Sequence, residues 1–353
     1  MARLTVPLVM ICVVAFHSTV SAQRDVGSVQ PDCLPLGTLH IGGRAEASFL
    51  IYAPADDPNP KVKVDAPKFV KVLRTDTSRR TVGDTLYTGV MVEIAVETAR
   101  AGEFKGDIAV TVDKAVTKLP ISATVKAPRP GTPRLLVVGG PFRCDSYLKG
   151  AAFKGWTDVV NAANLDVSYL LVWHGKAVLR DIDLGKYNCV LMDSGALVFQ
   201  STEDVARVRK YAENGGRVVV AANHFMVGSV KGANAVLAGS GLEMIDEEPP
   251  PRVRHVTLGK EDFAPDVVKA GVDSATFFRA SPIDAVKGGH VLVKATGYDR
   301  SGTGLAASAK VGKGEVIALG VSLWWSWVSA EEAKGSGNGK LLRFLLVPSR
   351  GAS

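Results

Sequence analysis

The sequence predicts two different folding units in succession: a small β-sandwich, then a doubly wound α/β layer on a mostly parallel sheet. Three observations carry this. Residues 32–126 hold short β-rich runs with alternating apolar positions and turn-formers between them. Residues 187–222 read as strand, helix, strand, and both strands are nearly continuous apolar runs, which marks a parallel sheet covered on both faces. Between the two regions lies Ala127-Pro128-Arg129-Pro130-Gly131-Thr132-Pro133, whose prolines stiffen the chain and cannot donate to a ladder. The expected organisation is therefore a targeting segment at 1–22, a sandwich at 23–127, a linker at 128–133 and an α/β domain at 134–348.

The targeting segment begins with Arg3 as a positive start, continues with a short apolar run over 6–16, and ends on Val20-Ser21-Ala22 before a cut ahead of Gln23. Cys12 follows Ile11 where a lipid-attachment signal needs a small residue, so no lipid anchor is expected. The run is too short to span a bilayer, and no later stretch is long and apolar enough. The expectation is an exported protein, periplasmic or secreted, without a membrane span. A length of 353 residues with 46% hydrophobic content suffices for two cores. The charge of +7 is modest, no long Lys/Arg run stands out, and aromatics make up 7% of the chain, which argues against a nucleic-acid groove. Cleavage would leave Cys33, Cys144 and Cys189, an odd number at spacings that fit no metal site. Cys189 lies inside a core strand and reads as a small apolar residue, while export would permit a single bridge.

The strands of the first unit are expected at 36–41, 47–52, 61–64, 69–73, 90–96, 107–112 and 119–125. Ile108, Val110 and Val112 alternate with polar neighbours, as do Ile121, Ala123 and Val125, and Gly42-Gly43, the 56–60 segment, Gly102 and Gly106 punctuate the runs. The unit has the size of an immunoglobulin-like domain without its Cys…Trp…Cys core. Three stretches, Leu36-Gly37-Thr38-Leu39, 102–111 and 119–125, resemble the Hydin/abnormal-spindle type of immunoglobulin-like module. That resemblance implies a structural or interaction module without catalytic residues.

In the second unit, 134–138 is the first strand and Gly139-Gly140 ends it. A helix over 156–163 and a strand over 167–173 follow. The next strand covers 187–192. Ser201 opens the helix that runs to Asn214, with Asp204 three residues on as a capping-box partner, and Val205, Val208 and Ala212 as its buried stripe. Gly215 stops it, and 217–222 is the following strand. From 241 to 298 the pattern is less clear, apart from a strand at 291–295. Residues 306–311 and 315–320 read as a hairpin through Gly312-Lys313-Gly314, and Leu341, Leu342, Leu345 and Leu346 at helical spacing predict a terminal helix with Asn338 as its cap.

In doubly wound sheets, ligands bind beyond the carboxyl ends of the strands. That rule gathers Gly139, Gly140, Trp173-His174, Asp193, Ser194, Asn223, His224 and the cluster Trp324, Trp325 and Trp327 into one candidate cleft. Indoles there could stack on sugars or other flat faces, although any single one is more simply core. The stretches 135–140, 187–191, 211–220 and 312–320, in this order, resemble the class I glutamine amidotransferase-like superfamily, in particular its trehalose-utilisation-like relatives. The resemblance implies a flavodoxin-like, mostly parallel sheet over most of 134–347. It also exposes departures. The active amidotransferases carry a nucleophilic cysteine on a sharp strand-to-helix turn, with a histidine and glutamate late in the chain. Here the strand ending at Ala222 leads into Asn223-His224-Phe225, and the late strand leads into Trp324-Trp325-Ser326-Trp327. Thiolate chemistry needs a thiol with a base in reach, so glutamine hydrolysis is not expected. The trehalose-utilisation-like relatives often have a histidine after the same strand, a position that His224 matches.

The same residues fit other chemistries less well. His174, His224 and Asp193 have the donor types for a metal but no compact motif, so no metal is assigned. Ser194 with His224 lacks a glycine-flanked elbow, and Asp193-Ser194-Gly195 reads instead as a tight turn. Gly337-Asn338-Gly339-Lys340-Leu341 has Leu341 where a phosphate loop needs Ser or Thr. The expectation is an exported binding or assembly protein, with a carbohydrate or protein partner, no cofactor and no catalytic residue. The alternative is a hydrolase or sugar-modifying enzyme using His174, Asp193 and His224. A purely structural envelope component is the third option.

Overall fold

The computed structural model describes residues 26–54, 57, 59–82, 85–139, 151–171, 179–298, 302–323 and 337–347. The targeting segment, Gly140, Cys144, Trp173, His174, Trp324, Trp325 and Trp327 lie outside the described residues.

The first half contains β1 (Val29–Gln30), β2 (Leu34–His40), β3 (Ala45–Ala53), β4 (Val62–Asp65), β5 (Val70–Val82), β6 (Thr85–Val96), β7 (Gly102–Val112) and β8 (Ala115–Lys126). One layer runs β2-β8-β7-β4, and the other contains β3-β6-β5 with β1 on β3. Because side chains alternate along a strand, every second residue of each layer faces the other. Phe49 and Ile51 of β3, Val92 and Ile94 of β6, Ile108 and Val110 of β7, and Leu119 and Ile121 of β8 are all buried in one core. The predicted strands exist, and β5 extends well past 73 because its outer residues pair with β6 as far as Val82↔Thr85.

The second half holds β9 (Arg134–Gly139), α1 (Ala151–Ala162), β10 (Asp166–Leu171), β11 (Cys189–Asp193), α2 (Ser194–Phe199), α3 (Thr202–Glu213), β12 (Arg217–Ala221) and α4 (Ser229–Leu237). Then come β13 (Leu242–Met244), β14 (His255–Gly259), α5 (Pro265–Lys269), β15 (Ser274–Phe278), β16 (Ile283–Ala285), β17 (Gly289–Lys294), β18 (Thr303–Val311), β19 (Gly314–Leu319) and α6 (Gly337–Leu346). Within the second half the parallel strands lie in the order β10-β9-β11-β12-β19, that is, 2-1-3-4-5 counting from β9 along the chain. This is the doubly wound order, with its topological switch point between β9 and β11. Both faces are covered, which explains the unbroken apolar strands. Trp156 of α1 and Leu341 and Leu345 of α6 pack on one side. Leu197 of α2, Val208 and Ala212 of α3 and Val230 of α4 pack on the other. The α3 cap works as expected, with Ser201 Oγ accepting from the Asp204 amide at 3.1 Å. The Asp204 carboxylate does not return to the Ser201 amide; it accepts from Ser201 Oγ at 2.7 Å and from the Leu179 amide at 3.1 Å.

Three findings revise the sequence reading. Asp193-Ser194-Gly195 is not a turn: β11 passes directly into α2, with Asp193 in extended conformation as the residue before the helix. Asn338 is not a cap: its Oδ1 accepts from the Thr276 amide at 2.8 Å and its Nδ2 donates to the Thr276 carbonyl at 3.1 Å, pinning α6 to β15. Finally, the sheet does not stop at the linker. β10 pairs in parallel with β3 through Tyr169↔Ala45, Leu170↔Glu46 and Leu171↔Ala47. The Tyr169 amide donates to the Arg44 carbonyl at 2.8 Å, and the Arg44 amide donates to Ser168 Oγ at 3.1 Å. One continuous ladder thus runs from β13 to β5.

Candidate functional site

Strand register builds the candidate edge. Asp193 ends β11 opposite Ala221, and Ala221 lies opposite Leu319. On the other side of β11, Met192 pairs with Val138, which places Gly139 beside Asp193. The approach is close: a Cβ on Gly139 would sit 2.9 Å from the Asp193 Cβ, so this position admits only glycine without a shift. Asp193 therefore stands at the switch point between β9 and β11, where a doubly wound sheet opens its crevice.

Asp193 is fully buried. Its Oδ1 accepts from the Leu323 amide at 3.0 Å and lies 3.5 Å from Ser322 Oγ, which ties the segment leaving β19 to the end of β11. Its Oδ2 has no hydrogen-bond partner among the described residues. Burial pushes its carboxyl up to about 7, against the pull of the hydrogen bonds from Leu323, Ser194 and Ser322. Ser194 is equally buried, and its hydroxyl donates to the Ala221 carbonyl at 3.2 Å. That bond occupies the proton a nucleophile would have to give up, and it clamps α2 to β12.

Past β12, Asn223 and His224 are fixed from both sides. The Asn223 carbonyl accepts from Ser229 Oγ at 2.7 Å, and its Nδ2 donates to the Arg279 carbonyl at 3.4 Å. The His224 amide donates to Ser281 Oγ at 2.8 Å, and the Ser281 amide donates to the Gly320 carbonyl at 2.8 Å. Asn223 Oδ1 and His224 Nδ1 are buried without partners among the described residues. Burial holds the His224 imidazole below its ordinary range; Arg279 and Arg254 push the same way, while Glu248 and Asp246 oppose.

The structure thus brings Gly139, Asp193, Ser194, Asn223 and His224 to one edge and adds Ser281, Ser322, Leu323 and Arg279 to them. Ser322 lies just past a predicted strand end, so the same rule could have found it. Arg279 and Ser281 lie where the pattern was unclear. No thiol serves this edge among the described residues. Cys189 begins β11, buried at the opposite end of the strand, and burial pushes its thiol up to about 12. Cys33 and Cys189 are both free. No group of three His, Cys, Asp or Glu side chains able to hold a metal occurs among the described residues. No helix among them is long and apolar enough to cross a membrane.

A cavity of about 340 Å³ lies at the opposite, amino-terminal edge of β11, β12 and β19, lined by Tyr187, Asn188, Tyr211, Arg217, Lys313 and Glu315 among others. Its buried cation is already committed. Arg217 pairs with Glu315 at 2.7 Å and donates to the carbonyls of Phe344, Leu345 and Val347 at 3.2, 3.1 and 2.7 Å, which closes the carboxyl end of α6. This hollow is therefore a helix-end clamp rather than the crevice the topology designates.

No family model matches the chain, and no curated protein matches it in sequence. Among solved structures it is similar to a ThuA-like protein from Bacteroides uniformis, at 13% identity and TM-score 0.36, over 62% of this chain and 92% of that one. It is also similar to a ThuA-like protein from Parabacteroides merdae, at 14% identity and TM-score 0.33, over 58% and 91%. A family 123 glycoside hydrolase from Clostridium perfringens matches at 11% identity and TM-score 0.21, over 45% of this chain; the chain spans 33% of that protein's length. At these values none of the three carries an argument, and the strand order above stands on the observed pairings.

Proposed function

We propose that this is an exported binding or assembly protein, in which an immunoglobulin-like sandwich precedes an amidotransferase-like α/β unit without thiol chemistry, and that a ligand or partner is taken at the carboxyl edge of β9, β11 and β12. The observation that carries this reading is the occupant of the edge. Where a nucleophile elbow would follow β12, the chain has Asn223-His224, held by Ser229, Ser281 and Arg279 through bonds that fix loops. The same edge also leaves two buried oxygens, Asp193 Oδ2 and Asn223 Oδ1, without a partner among the described residues.

One observation favours the competing reading, a hydrolase or sugar-modifying enzyme. Asp193 combines full burial with a carboxyl near neutrality, which suits a general acid or base. A screen of ester, amide and glycoside substrates with and without zinc separates the two. Turnover that His224→Ala or Asp193→Asn abolishes would replace the binding reading with the enzymatic one. Saturable binding without turnover supports the first.

A further inference from the structure

The hydrogen bond to Asn223 uses only the backbone of Arg279; its side chain joins those of Phe225, Arg254 and Phe278 in a group beside His224. Phe225 and Phe278 are 43% and 53% exposed, unusual for phenyl rings held on a structured edge. The Arg279 guanidinium carbon lies over both rings, 5.2 Å from the Phe225 centroid and 5.8 Å from the Phe278 centroid. Its backbone is held in the left-handed region, at φ 47°, although it is not glycine. The amide of Arg279 donates to the Arg254 carbonyl at 2.7 Å, and its carbonyl accepts from Asn223, so the strained geometry is fixed at both ends.

The charges at this spot are incompletely matched. One carboxylate, Glu248, serves two guanidiniums: it lies 2.9 Å from Arg254 but 3.7 Å from Arg279. Glu248 is itself half exposed, so water weakens its hold on both. The Nε atoms of Arg254 and Arg279 are both buried without an acceptor among the described residues. A guanidinium that lies over two rings and holds its carboxylate only at 3.7 Å matches a planar anion carried on an apolar body. The footprint of four side chains is too small for a stable protein interface, which needs about 800 Å² per partner.

We propose that Phe225, Arg254, Phe278 and Arg279 form a site for a small carboxylate borne on an aromatic or apolar group. The location beside β12 rests on the binding reading above, but the test reads occupancy rather than turnover, so the two ideas fail separately. The probe is benzoate, with benzamide as its neutral isostere, titrated into the full chain and followed by chemical-shift perturbation. Benzoate should saturate, and benzamide should bind about tenfold more weakly, since only the acid gains a charge-assisted hydrogen bond. Arg279→Met should lose about the same factor. Arg279→Lys keeps the charge but not the fork, and should also weaken binding. Glu248→Gln removes the competing carboxylate and should tighten binding, a gain that damage to the fold would not produce. The proposal is overturned if benzoate does not bind, if benzamide binds equally well, or if Glu248→Gln leaves affinity unchanged or lowers it.

Discussion

Replacing Asp193 by asparagine gives the most direct test of how the strand-end edge is built. Asparagine keeps the shape and can still accept the Leu323 amide, but it cannot ionise. In the folded protein the Asp193 carboxyl is pushed up to about 7 from its ordinary 3.8, chiefly by burial. A raised pKa means that the folded state holds the proton more tightly than the unfolded chain does. The associated stability is fully present below about pH 4 and is lost as pH rises through about 7. The gap corresponds to about 4 kcal/mol at about 1.4 kcal/mol per pH unit. Urea denaturation of both proteins from pH 4 to pH 8 isolates this group, because every other titration cancels in the difference. The asparagine protein should gain on the native one by about 3–5 kcal/mol across that range, with most of the gain between pH 4 and 7. A difference that stays flat within about 0.5 kcal/mol would refute the burial argument, since a solvated carboxyl near its ordinary pKa predicts that result.

Further expectations follow from the same contacts. Arg217→Met strips a partner from mostly buried Glu315, from two carbonyls of α6 and from that of Val347 just past it; it should cost about 3–5 kcal/mol in denaturant unfolding, and replacing Glu315 by leucine as well should recover part of the loss. Trp156→Phe deletes the 2.8 Å bond from the indole to the buried Tyr169 hydroxyl, for a loss of about 1–3 kcal/mol by the same measurement. A Cβ at Gly232 would lie 2.0 Å from the Leu197 carbonyl oxygen, so Gly232→Ala should push α4 off α2 and lower stability by about 1–3 kcal/mol or more. In native protein treated with iodoacetamide at pH 8, Cys189 should stay unmodified by peptide mass analysis while partly exposed Cys33 reacts; labelling of Cys189 without unfolding would contradict its burial.

Much of this architecture was legible because the residues obey one period at a time. The runs 135–138, 190–191 and 218–220 are apolar at every position, which only a strand buried on both faces tolerates, and the strands are there. Ser201 and Gly215 bounded α3 through local chemistry, an oxygen for the first amides and a positive φ of 112° at the end. Local chemistry failed where a side chain answers to a distant strand. Asn338 has the residue type of a cap, yet β15 offers it two backbone partners instead. The region 241–298 was obscure because its strands are short, and β14 and β15 pair only with each other, burying one face and exposing the other. The candidate edge was legible as a set of strand ends, since register follows from parallel pairing. The roles of Ser281, Ser322 and Arg279 were not, because they depend on which loops meet after the chain has closed.

The pairing of β10 with β3 has a practical consequence for dissecting the molecule. The proline-rich stretch looks like a natural place to cut, but a fragment starting at Arg134 would present β10 with one side of its ladder unpaired. Such a bared strand recruits other chains, and aggregation of the isolated carboxyl-terminal piece would be its signature. Mechanical tension between the two halves would likewise be borne by a sheet, not by a tether, so neither half can swing without breaking hydrogen bonds between β10 and β3.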